Sequence, residues 1–510
     1  MIASRALTGE DLRVEDVWDV AVGRAPVVVA DDARVKMEAA RELVERVAAG
    51  NHTYGVNTGF GRFVSRSIPD EHVEELQLRL LRSHACGVGE PYPPEVVRAA
   101  MLLRANALAK GYSGARVETV DLLVELLNRG VLPHVPSRGS VGASGDLAPL
   151  AHLALPLVGE GEAWVDGTLL PGRDALEAVG LEPIRLRAKE GLSLINGTQF
   201  MAAMAALVLV RAWRLARTAD LACALSLEAL QGSPTSFHPA IHEARPLPGQ
   251  RAAAANIRRL LEGSAIVEAH RWCDKVQDAY SLRCAPQVHG ASRDLLDYAE
   301  RTVSVELNAA TDNPLVLVDE GIVVSNGNFH GQPLAFALDT LAMAVAELAN
   351  ISERRVERLV NPSLSEGLPP FLTVEGGLNS GMMIAQYVAA SLVSENKALC
   401  HPASVDSIPT SAGQEDHVSM GNAAGLKAMQ VLANAERAVA IELIAGAQGV
   451  EFLAPLEPGP GVRATHDAVR ALSERLRDDR PLAADIERVA AAVADGTILR
   501  AAEAEIGELA

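Results

Sequence analysis

Aromatic residues are scarce in this chain of 510: Trp 4, Tyr 6 and Phe 8, or 4% of the whole. The hydrophobic 49% is therefore mostly aliphatic, and with 22% charged residues the composition is that of an ordinary globular protein, neither disordered nor fibrous. Basic residues are in the minority, 46 against 65 acidic for a net charge of -19, and no basic run occurs. Nothing attracts a phosphate backbone, which excludes nucleic acid as an expected partner. Cysteine is sparse. Cys86, Cys223, Cys273, Cys284 and Cys400 form no CxxC pair and no even framework, which fits reduced, cytoplasmic thiols better than disulfides or a zinc site. His152, His330 and His417 show no HxH, HExxH or carboxylate-histidine spacing, so no metal is expected.

Long apolar runs are missing as well. The amino-terminal stretch MIASRALTGEDLRVEDVWDVA carries charge from Arg5 onward and does not read as a signal peptide. The longest charge-free stretch, residues 191–210, approaches the ~20 residues of a membrane span. Its first half contains Ser193, Asn196, Thr198 and Gln199, so it reads as a polar loop followed by a core helix at 200–210, with no membrane expected.

Helical periodicity is what the chain has in abundance. Leu334, Leu338, Leu341, Val345 and Leu348 alternate at spacings of four and three, and the pattern runs to Leu359 before Asn361-Pro362 stops it. At ~1.5 Å per residue this makes a rod roughly 39 Å long. Similar segments at 199–230, 381–399 and 423–446 predict a bundle of long helices. Minor β-hairpins are expected at 163–170, around Asp166-Gly167, and at 315–324, around Asp319-Glu320-Gly321. The length suggests two or three domains or one elongated helical architecture. We divide it into an amino-terminal domain at 1–200, a central long-helix bundle at 201–454 and, after the linker PLEPGPG, a final pair of helical segments within 455–510.

The stretch GSVGASGDLAPL at 139–150 crowds glycines and serines ahead of an apolar run. It fits a glycine-flanked turn in which Ser144 or Asp146 caps the helix that follows. It also fits backbone cyclisation: Ala143 offers a carbonyl, Gly145 an uncrowded nitrogen, and Ser144 a hydroxyl that can leave as water, giving an electrophilic methylidene. A hydrolase nucleophile is not expected, since GASGD is not GxSxG and no strand is read before it.

Further glycine-rich motifs bear on the choice: YGVNTGFG (54–61), RSHACGVGEP (82–91), EGLSLINGTQ (190–199), QDAYSLRCAPQ (277–287), SNGNFHG (325–331) and SAGQEDHVSMG (411–421). Together with GSVGASGDLAPL, and in the same order along residues 54–446, the set resembles the histidine ammonia-lyases of the aromatic amino acid lyase family. The resemblance implies a mainly α-helical, fumarase-like long-helix bundle, a homotetramer with active sites assembled from several chains, and deamination of L-histidine to trans-urocanate, the first step of histidine degradation. It implies that Ala143, Ser144 and Gly145 condense into 4-methylidene-imidazol-5-one, so that no external cofactor is needed. The substrate amine adds to the methylidene while an enzyme base removes a β-proton.

By the same resemblance Tyr54 is that base; lowering a phenol from ~10 to ~7 requires about 4 kcal/mol of differential stabilisation. Arg283 pairs with the substrate carboxylate, for which a planar guanidinium suits two oxygens at once. Tyr280 assists proton transfer or amine binding, and Gln277 helps hold the substrate. Gln277, Tyr280 and Arg283 stand three apart and share one helical face if that segment is helical. Asn196 hydrogen-bonds the oxygen of the prosthetic group, Phe329 lines the pocket, and His84, after Ser83, acts with Glu415 to select an imidazole ring.

Cys86 stands where relatives often carry alanine, Gly413 where asparagine is common, and His289 where methionine or asparagine is frequent. None removes a catalytic group. The rival readings are a phenylalanine or tyrosine ammonia-lyase, a 2,3-aminomutase, or a helical scaffold that never cyclises. A fumarase-type lyase lacks support, because the loop GSSxMPxKxN is absent.

Overall fold

The computed structural model describes residues 4–48, 58–59, 63, 68–142, 145–271 and 275–510. The chain packs into two compact units, each assembled from separated stretches. The first comprises 1–210, 300–339 and 402–426; the second comprises 211–299, 340–401 and 427–510. Each unit thus gathers stretches that lie far apart in sequence.

Long helices dominate, for the reason the periodicity gives. In helix Gln332–Val360, Leu334, Leu338, Leu341, Val345 and Leu348 are all fully buried. It stops before Asn361-Pro362, where the proline disfavours helical backbone in the residue ahead of it. Helices Gln199–Ala229 and Gly421–Glu451 each run for 31 residues, and Met383–Leu399 follows the expected segment closely. Gln199–Ala229 and Gln332–Val360 are long and apolar enough to cross a membrane, yet 78% and 67% of their apolar windows are buried, as in core helices.

All described strands lie in the first unit. Parallel strands Arg5–Leu7 and Val27–Val29 are accompanied by helix Pro94–Ala109, buried from Val96 onward and packed on Val14–Ala21 and Val117–Asn128. Both expected hairpins form, Glu162–Val165 with Thr168–Pro171 and Leu315–Leu317 with Ile322–Val324. A short strand not read from the sequence, Pro136–Arg138, precedes the GASGD loop and pairs with Val88–Pro91. Proline and polar residues disguised it.

The second unit is helical. After the linker come three helices, Pro460–Arg470, Ala483–Ala494 and Thr497–Ile506, not two. Gly496, at φ +80°, supplies the left-handed residue that separates the last two. Pro460–Arg470 packs against Thr497–Ile506 and Pro248–Leu261.

Candidate active site

Five of the motifs meet in the first unit, and close backbone approach is what joins them. Gly145, at φ +75°, forms a parallel bridge with Gly197, and a Cβ on it would stand 2.0 Å from the Gly197 carbonyl oxygen. The Asp146 N–H donates to that same oxygen at 2.6 Å. Gly142, at φ +72°, would place a Cβ 2.0 Å from Ser419 Oγ. Only glycine fits either place. Met420 N–H donates to the Val141 carbonyl at 2.9 Å and Asn422 Nδ2 to the Ser137 carbonyl at 3.2 Å, which binds SAGQEDHVSMG to the GASGD loop. RSHACGVGEP joins the same cluster through the pairing of Val88–Pro91 with Pro136–Arg138. Ala143 and Ser144 lie outside the described residues, as does Tyr54.

Asp146 does not cap its own helix, Leu147–Ala154. Its Oδ2 instead accepts the Met201 N–H at 3.0 Å, in the first turn of Gln199–Ala229, and Ser140 Oγ stands 3.1 Å from Oδ1. The side chain is fully buried, and desolvation pushes its carboxyl up to about 7 against these hydrogen bonds. The helix capped is thus a neighbour in space, which no local sequence signal reveals.

Asn196 closes the short helix Glu190–Ile195. Its Nδ2 donates to the Asn313 carbonyl at 3.0 Å, while its buried Oδ1 has no partner among the described residues. Asn313 in turn accepts, through Oδ1, the Asn326 N–H at 2.9 Å and Ser325 Oγ at 3.2 Å, which fastens SNGNFHG behind LINGTQ. Phe329 in that loop is half-buried, and its neighbour His330 stacks on His417 at 5.8 Å.

Arg104 went unnoticed in the sequence. It lies on the buried helix Pro94–Ala109, where a lone arginine in an apolar pattern carries no functional signal. Its Nη1 donates to the Asn196 carbonyl at 2.8 Å and to Gln199 Oε1 at 2.9 Å. The guanidinium is fully buried and burial pushes it down to about 10, with Asp312 opposing; Nε and Nη2 have no partner among the described residues. Unsatisfied buried donors cost several kcal/mol, on the order of 1–3 each, so this corner favours a polar occupant.

His84 is half-buried at the end of helix Val73–His84, with Nδ1 2.9 Å from the Leu80 carbonyl and 2.9 Å from Ser83 Oγ. A carbonyl only accepts, so Nδ1 carries the proton and Nε2 is an acceptor. Desolvation holds the imidazole below its usual range, partly offset by the Leu80 carbonyl and by Glu415, which lies within electrostatic reach. Glu415 Oε2 accepts Thr410 Oγ1 at 2.7 Å across an antiparallel bridge between the two residues. Ser411, Ala412 and Gly413 between them all adopt left-handed backbone.

Gln277, Tyr280 and Arg283 belong to the second unit. The expected common helical face does not form: the helix is only Tyr280–Arg283, and Gln277 is exposed in the irregular stretch ahead of it. Asp278 explains the break, since its carboxylate is committed to Lys275 at 2.9 Å and to the Ser233 N–H at 2.7 Å. The Arg283 guanidinium rests 4.6 Å from the Tyr280 ring centroid, and the tyrosine is 70% exposed. His289 is fully buried against Asp220 at 2.7 Å. Among the described residues no group of three or more His, Cys, Asp or Glu assembles as a metal set.

The model of the aromatic amino acid lyase family matches residues 12–471. The histidine ammonia-lyase of Gloeobacter violaceus is 58% identical over 504 residues, 99% of this chain and 98% of that one. Among solved structures, histidine ammonia-lyase from Trypanosoma cruzi superposes with TM-score 0.92 at 45% identity, covering 99% of this chain and 96% of that one. Tyrosine aminomutase from Streptomyces globisporus superposes with TM-score 0.94 at 40% identity, covering 99% of both chains. With its glycine-lined loop, its seven motifs and a match over most of its length, this chain belongs to the aromatic amino acid lyase family.

Proposed function

We propose that the protein is a histidine ammonia-lyase, converting L-histidine to trans-urocanate and ammonia without oxidation. The observation that carries the substrate choice is His84 within electrostatic reach of Glu415. Nε2 of His84 and the Glu415 carboxylate both accept hydrogen bonds, and an imidazole ring has an N–H to donate to one of them when neutral and to both when protonated. A benzene ring has no N–H to donate to either group, and a buried acceptor left unmet costs about 1–3 kcal/mol. Phe329 supplies an apolar wall.

Residues 143–145 fit 4-methylidene-imidazol-5-one on one observation: Gly145 is pressed so closely onto Gly197 that no side chain can intervene, and Asn196 Oδ1 with Arg104 Nε and Nη2 are buried without partners among the described residues. Asn196 and Gly197, backed by Arg104, would hold the group. When bound, it supplies an electrophilic carbon that makes the substrate's amine a leaving group. Arg283 receives the substrate carboxylate in a two-pronged pair, its guanidinium steadied by the Tyr280 ring. Tyr280 and Gln277 orient the amine, and Tyr54 takes the β-proton. No external cofactor or metal is called for.

A homotetramer with shared sites is part of the proposal, supported by apolar side chains left exposed on helix Met383–Leu399, Ile384 at 57% and Tyr387 at 61%. Scattered reduced thiols support a cytoplasmic location. The test is a panel of L-histidine, L-phenylalanine and L-tyrosine with product absorbance followed for each. Urocanate formation from histidine alone is expected; cinnamate or coumarate as the main product would reassign the substrate. An intact mass retaining both waters in the 143–145 segment would support the inert scaffold.

A further inference from the structure

The turn Tyr280–Arg283 is tied from beneath by a buried charge network that the proposed mechanism does not use. Arg355, fully buried, grips Glu442 with a two-pronged pair, Nε to Oε1 at 2.5 Å and Nη2 to Oε2 at 2.8 Å. Its remaining nitrogen, Nη1, donates to the Ser281 carbonyl at 3.3 Å and lies 3.4 Å from His289 Nε2. His289 Nδ1 stands 2.7 Å from Asp220 Oδ1; a carboxylate accepts, so Nδ1 holds the proton and Nε2 receives Arg355. Asp220 also accepts Arg293 Nη2 at 2.6 Å and Asn256 Nδ2 at 2.9 Å, and Ser226 Oγ donates to Glu442 at 2.7 Å.

Two carboxylates and two guanidiniums balance, and a neutral imidazole links the pairs. Burial itself lowers the His289 imidazole below its usual range, in keeping with that neutral form. Glu442 fixes both Nε and Nη2 of Arg355, so Nη1 has one direction in which to point. Ser281 sits between Tyr280 and Arg283, and Tyr280 is largely exposed.

We propose that Arg355 is a positioning residue for substrate binding: by holding the Ser281 carbonyl it orients the turn that presents Arg283 and Tyr280 to an amino acid carboxylate. The inference rests on the proposed role of Arg283. A lysine cannot replace the fork, since a point charge at Glu442 leaves no rigid arm for Ser281.

The test compares Arg355→Lys with the double variant Arg355→Met/Glu442→Leu, which removes both charges together and so avoids a stranded buried ion. In folded variants KM for histidine should rise about tenfold with kcat changed less than about threefold, as expected of a displaced binding group. Inhibition by imidazole-4-propionate, which bears a carboxylate, should weaken in step with KM; inhibition by histamine, which lacks one, should stay unchanged. In an Arg283→Met background either change should add nothing further to KM. An unchanged KM, equal weakening of both inhibitors, or additivity with Arg283→Met overturns the inference. Wild-type protein that deaminates phenylalanine or tyrosine in place of histidine overturns the histidine reading alone, because the tether would serve any amino acid carboxylate; the comparison then uses that substrate and its own decarboxylated amine.

Discussion

His84 Nδ1 lies 2.9 Å from the carbonyl oxygen of Leu80, one helical turn back, and this single contact turns the opposite ring nitrogen into an acceptor. The helix end thereby sets the tautomer, and with it the polarity of the proposed ring-recognition site.

Protonation of His84 should abolish that acceptor. Because desolvation holds its imidazole below the ordinary range of ~6.5, it stays neutral at physiological pH and gains a proton only under more acidic conditions. KM for histidine is expected to climb as pH falls below the ordinary imidazole range, while His84→Leu should raise KM at every pH and flatten that limb, on the order of tenfold or more. A KM profile that is flat for wild type between pH 5 and pH 7 would remove His84 from ring recognition.

Tyr54 has a separate signature. If its phenolate is the base, Tyr54→Phe should cut kcat by about 10²–10⁴ while the protein still lacks the mass of two waters. Turnover of the unaltered enzyme should increase toward alkaline pH. Substantial activity in the variant would assign the β-proton to another group.

Asp146 links the loop to stability. Its folded-state carboxyl titrates at about 7 from a reference of 3.8, so the contribution it makes is fully present below the reference value and is lost as pH rises toward 7. Asp146→Asn removes this dependence. The stability difference should move in favour of the variant by about 3 kcal/mol between pH 5 and pH 8, read from denaturant midpoints at each pH. A constant difference would mean that the carboxyl is not held protonated.

Gly413 stands at φ +82° with open space around it, in the loop that holds Glu415. Asparagine tolerates this conformation and alanine does not. Gly413→Asn should therefore stabilise the loop by about 0.5 kcal/mol and lower KM for histidine up to about twofold, whereas Gly413→Ala should cost about 1 kcal/mol. Thermal melts and KM on the two variants check the ordering.

Much of the architecture was legible because helix formation is periodic. The seam from Leu334 to Leu348 and the Asp166-Gly167 hairpin announce themselves through spacing alone, and both take the expected form. The motifs also pointed to a shared location: five of them converge around Gly145 and Gly197, where spacing along the chain could only place them in order. The local conformation around Gln277 read less well. A regular three-residue spacing suggested one helical face, but Asp278 preferred Lys275 and the Ser233 backbone, and the helix began only at Tyr280.

What the sequence determined by itself was chemistry carried by identity and local period: small residues where backbones must touch, apolar stripes on long helices, and the residue types suited to an imidazole and a carboxylate. What tertiary structure alone decided was partnership. Asp146 caps a helix other than its own, Arg104 stands behind Asn196 across 92 residues of chain, and Arg355 reaches Ser281 across 74. Such contacts depend on where packed helices return, and burial strengthens each one only after the surrounding core has excluded water.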